Sequence, residues 1–138
     1  MLIGRGNEYV KIEEQERLPG TSPCPGDVRV KVTVRLQAFC GSYSEIWLAR
    51  PELERFIAQL QAVVETHTGK ARLEAMSPDE LTIELRPMDS FGHFEVFVRL
   101  GRHRSSGAIS RPTVVAGGFV IEPDQLPSIL SGFKALLD

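Results

Sequence analysis

Two cysteines, one tryptophan, two tyrosines and a net charge of −2 leave 138 residues with few of the features that announce a function. Sparse cysteine gives no disulfide framework. Cys24 lies in a proline-rich stretch and Cys40 at an expected strand end, so both are read as reduced thiols and the cytoplasm is the expected compartment. No basic N-terminal segment leads into an apolar signal core, and no apolar run approaches the ~20 residues that cross a bilayer, so neither secretion nor membrane insertion is expected. Sixteen basic residues against eighteen acidic ones provide no overall field to steer a strongly charged partner.

Catalytic and metal-binding patterns are equally scarce. His67, His93 and His103 form no i, i+4 pair and have no nearby cysteine or carboxylate cluster at metal-ligand spacing, so no metal or other cofactor is expected. Gly4-Arg5-Gly6 lacks the third glycine and the following helix of a phosphate loop, and is read as a turn. The sequence around Gly41-Ser42-Tyr43 lacks the second glycine and the strand-to-helix setting of a nucleophile elbow. An enzyme is the weakest of the readings that remain.

What the chain does contain is periodicity. In residues 28–38, Val28, Val30, Val32, Val34, Leu36 and Ala38 alternate with Arg29, Lys31, Thr33, Arg35 and Gln37. Period-two alternation of β-branched residues places one face of a long strand on a core and the other in water. Two strands at residues 1–3 and 8–13 precede it, and residues 43–49 return antiparallel to it. Ile46 and Leu48 then share the core side, while Tyr43, Glu45 and Trp47 share the face of Arg29, Lys31 and Arg35. A one-residue bulge would invert that assignment.

Residues 51–68 place Leu53, Phe56, Ile57, Leu60, Val63 and Val64 on one stripe, with Pro51 suited to the first turn and Gly69 to the stop. Burying six such side chains is worth a gross of about 9 to 18 kcal/mol, far beyond helix propensity, so the helix is expected to lie on the sheet. Strands follow at residues 70–75, 81–86 and 93–100. Residues 113–122 are apolar on both faces and read as a central or doubly covered strand. A second striped helix, residues 124–137, closes the chain with Asp124 as its N-cap. The expected architecture is α+β: one domain over residues 1–138, a largely antiparallel sheet, two amphipathic helices on one face, and the order ββββαββββα.

Three stretches are candidates for contact. Residues 14–27 hold three prolines and two glycines and read as a long surface loop. Residues 99–111 carry Arg99, Arg102, Arg104 and Arg111 without an acidic residue, a basic hairpin loop able to hold an anionic ligand or nucleic acid, though no aromatics interleave for base stacking. The open sheet face with Arg29, Lys31, Arg35, Tyr43, Glu45 and Trp47 carries the residue types enriched at protein interfaces.

The layout also resembles that of WapI-like bacterial immunity proteins and related short bacterial domains of unknown function. The likeness rests on the L-x-x-F-x-x-x-L helix from Leu53, ending in Thr68-Gly69-Lys70-Ala71, on Gly92-His93-x-Glu95-Val96, and on a closing strand followed by Asp124-Gln125. It covers residues 28–137. The resemblance implies a cytoplasmic, non-enzymatic protein that binds and neutralises a toxin, with no catalytic residue to carry over.

Overall fold

Strands and helices follow one another in the expected order, and the strands divide into two sheets. The computed structural model describes the backbone of residues 1–106 and 109–138 and the side chains of residues 1–102 and 111–138. The first sheet is an antiparallel meander of β1 (Leu2–Arg5), β2 (Glu8–Arg17), β3 (Val28–Leu36) and β4 (Phe39–Leu48). Helix α1 (Arg50–Thr66) leads to a second meander of β5 (Ala71–Glu74), β6 (Leu81–Pro87), β7 (Phe94–Ser106) and β8 (Ile109–Ile121), and α2 (Leu126–Ala135) follows.

One hydrophobic core unites these parts. The valines of β3 are fully buried, as alternation requires, and they share a cluster with Ile83, Val96 and Val98 of the second sheet and with the stripes of both helices. Phe56 of α1 meets Phe133 of α2 edge-to-face with ring centroids 4.7 Å apart. The β3–β4 hairpin passes so close to β8 that a Cβ on Gly41 would lie 2.9 Å from the Val115 side chain, and one on Gly117 the same distance from Leu36.

Helix α1 starts on a group supplied from far back in the chain. Asp27, buried at the end of the proline-rich loop, accepts a hydrogen bond from the Arg50 backbone N–H at 2.9 Å, satisfying one of the donors a helix start leaves open. At its other end the cap is His67 (φ 56°), whose N–H bonds to Val63 O at 2.8 Å, and Gly69, also left-handed (φ 78°), follows two residues on.

Four segments differ from expectation. The loop begins after Arg17 rather than at Glu14, because β2 continues past a bulge to set Glu16 opposite Arg29 and Arg17 opposite Val28; ladder bonds need no apolar side chains on the wet face. Residues 99–111 are for the most part ladder, not loop: β7 and β8 stay paired from Phe94↔Ile121 out to Ser106↔Ile109. Residues 113–122 are an edge strand rather than a central or doubly covered one: Phe119 and Ile121 are buried on the side that packs inward, while Val114 and Val120 are exposed on the other. Asp124 does not cap α2; it sits in a 3-10 turn (Pro123–Gln125) and turns to the Arg5 guanidinium at 2.9 Å.

Candidate functional site

On the outer face of the first sheet, Arg29 stands opposite Trp47 on β4 and Glu16 on β2, and Lys31 stands opposite Glu13. The Arg29 guanidinium donates to Ser44 O at 3.3 Å and lies 3.7 Å from the Glu45 carboxylate. Arg35 turns to Gln37 O at 3.1 Å, beside the tip of the hairpin. Acidic residues thus flank Arg29 and Lys31, whereas Arg35 stands opposite Tyr9 and Cys40. Half-buried Trp47 is the large contact group of the face.

Tyr43 does not belong to that face. The β3–β4 ladder shifts between Val30 and Val32, so that Val30 faces Ile46 while Val32 faces Tyr43, and the extra residue on β4 turns Tyr43 to the core side. There it packs against the buried cluster, with the Arg102 guanidinium 5.6 Å from its ring centroid. Of the six residues grouped from sequence, five remain together: Arg29, Lys31, Arg35, Glu45 and Trp47.

The basic residues of the β7–β8 ribbon are likewise distributed. Arg99 is drawn back to Asp79, 3.8 Å from its carboxylate, and Arg102 lies over Tyr43. Arg111 is exposed and stands opposite Arg104 in the ladder; the Arg104 side chain lies outside the described ones. Among the described residues, nothing gathers Arg99, Arg102 and Arg111 into a single anion cradle.

One group escaped sequence reasoning. His93 Nδ1 lies 2.8 Å from Asp89 Oδ2, and its Nε2 lies 2.9 Å from Glu122 Oε2, so the ring bridges the β6–β7 turn and the end of β8. The hydrogen-bonded Asp89 carboxylate raises the His93 pKa above its ordinary value against the partial burial that lowers it, and Glu122 adds to the rise. Burial pushes Asp89 up, but the backbone N–H groups of His93 and Phe91 and the imidazole outweigh it and hold the carboxyl below the usual range. Asp89 at i−4 was the only signal in the sequence; Glu122 is distant along the chain. The arrangement ties a turn to a strand, and among the described residues no cluster of His, Cys, Asp and Glu could hold a metal ion.

Concave surface is shallow. A groove of about 390 Å³ runs between the outer edge of β8 and the β3–β4 turn, lined by Glu8, Leu36, Gln37, Phe39 and residues 114–118. A second, of about 300 Å³, holds Tyr43, Ser42 and Arg102. Neither brings together a nucleophile and a base. Cys24 and Cys40 are free and exposed. Among the described residues, no helix is long and apolar enough to cross a membrane.

Comparison with known proteins agrees with the layout read from the sequence. No curated protein and no solved structure matches the chain. A family model described as the Immunity protein WapI-like family matches residues 1–138, the whole length. The chain belongs to the WapI-like immunity protein family.

Proposed function

We propose that this chain is an immunity protein that binds a bacterial toxin in the cytoplasm of the cell making it and neutralises it without chemistry of its own. The observation that carries this reading is membership of the immunity family over the full length of the chain. Shallow grooves without convergent reactive groups accord with it, since an inhibitor needs a surface and not an active-site cleft. The face of Arg29, Lys31, Arg35, Glu45 and Trp47 is the proposed first contact surface, with Trp47 as its anchor.

The test is affinity purification from the native host with identification of the bound protein, followed by a growth assay in which that protein is expressed with and without this chain. Rescue of growth by the intact chain, reduced by Trp47→Ala, is the expected result. A reproducible purification that yields no toxic partner overturns the proposal.

A further inference from the structure

The four sheet edges are not treated alike. Along β5, side chains of α1 occupy the backbone: Glu52 accepts from the Glu74 N–H, Gln59 accepts from the Arg72 N–H, and Arg55 donates to Arg72 O. On β1, Gln125 accepts from the Gly4 N–H at 3.2 Å. On β4, the Met76 N–H donates to Trp47 O at 2.9 Å. Among the described residues, no bond of this kind reaches β8, whose ladder partner is β7.

That edge also lacks the residues that ordinarily discourage strand addition. Residues 113–120, TVVAGGFV, contain no charge and no proline. Pro112 just before them sets the phase. A proline is accommodated in a ladder where its nitrogen faces away from the paired strand, and backbone amides two residues apart point the same way. The N–H groups of Val114, Ala116, Gly118 and Val120 accordingly face the open side.

We infer that the free edge of β8 accepts an extended, acidic segment of the toxin as an additional strand; this rests on the toxin-binding reading above. Main-chain bonds to the β8 edge hold the segment, and its inward side chains land on Leu36 and Phe39, the latter 74% exposed, in the groove beside the edge. Charge selects the occupant. Arg111, exposed and on β8 itself, lies three residues before Val114, and residues 99–121 contain no acidic residue; Glu8, the one charged residue of the lining, lies towards the other end, by Phe119, so the acidic side chains of the segment fall at the Arg111 end. A second copy of this chain would set two ribbons against each other that each carry four arginines and no acidic residue over residues 99–121, and fits less well for that reason.

The probe is a phage-displayed library of random linear dodecapeptides selected on the intact chain. The expected winners are apolar along the groove and acidic at the end that meets Arg111, and a synthetic peptide of the winning sequence slows amide exchange at Val114, Ala116 and Gly118. Ala116→Pro removes one outward donor and leaves the ladder to β7 intact; it and Arg111→Glu each weaken the peptide by about tenfold or more. Val114→Lys takes the place of Ala116→Pro if that variant does not fold. The inference is overturned by no enrichment, by winners without acidic residues, by protection that maps elsewhere, or by a dimer that Ala116→Pro dissolves. In the growth assay, Ala116→Pro that rescues as well as the parent also overturns it and leaves the immunity reading standing. A chain that rescues from no toxin overturns the immunity reading, whatever peptides it selects.

Discussion

Tyr43 stands opposite Val32 because β4 carries one residue more than β3 between that pair and Val30↔Ile46. The bulge converts an expected surface aromatic into a core-side one while leaving Glu45 in water. Replacing Tyr43 by serine should therefore cost about 2 kcal/mol of stability through lost apolar burial, and Glu45→Ser no more than about 0.5 kcal/mol. Urea unfolding of the two variants gives the comparison. Equal losses would show that the bulge does not turn Tyr43 inward.

The Asp27 carboxylate reaches across the chain to the first N–H of α1. Asp27→Ala leaves that donor without its partner beside the core and should destabilise by about 1 to 3 kcal/mol, whereas Asp27→Asn keeps an acceptor oxygen and should recover most of the loss. Thermal melts of both variants test this. A fully destabilised asparagine variant would mean that charge, not hydrogen bonding, is what α1 requires there.

Gly4 and Gly6 both have positive φ, 97° and 67°, yet their surroundings differ. A Cβ on Gly4 would meet Glu8 O and the Phe119 ring, at 2.3 and 2.8 Å, whereas one on Gly6 would meet nothing within 4 Å. Gly6→Ala should cost about 1 kcal/mol, from backbone strain alone, and Gly4→Ala clearly more, from strain and collision together. Chemical denaturation resolves the difference; the reverse order would contradict the geometry.

A pH dependence follows from His93. Its pKa is raised in the folded chain, so the protonated ring is the form that folding favours. That stabilisation is complete below the ordinary histidine value of 6.5 and is lost as pH rises through the raised value. Asp89, held low, stays ionised throughout that window. Melting temperatures of the parent should fall from pH 6 towards pH 8 relative to those of His93→Gln. Parallel curves would exclude the clamp as a source of stability.

Much of the architecture was readable because it rests on local period: the valines of β3 and the stripes of α1 and α2 appear where alternation and 3.6-residue spacing put them. The unreadable parts are non-local. Residues 99–111 look like a loop because their side chains are polar and small, although backbone pairing carries the ribbon outward regardless. The extra residue in β4 has no sequence mark, so Tyr43 was assigned to the wrong face with Trp47 on the right one. Glu122 meets His93 only after β7 and β8 have paired, and the edge of β8 stands out only once β5 is seen to be covered by α1, and β1 and β4 to receive one bond each.

Because each strand pairs with its immediate neighbour along the chain, both halves can assemble by closing short loops in succession. Little entropy is spent before those contacts form. The slow event should then be the meeting of the halves, when the valines of β3 reach Ile83, Val96 and Val98 in the shared core. Folding kinetics should accordingly respond weakly to changes within either meander's turns and strongly to changes where β8 crosses the β3–β4 hairpin, at Leu36 and Val115.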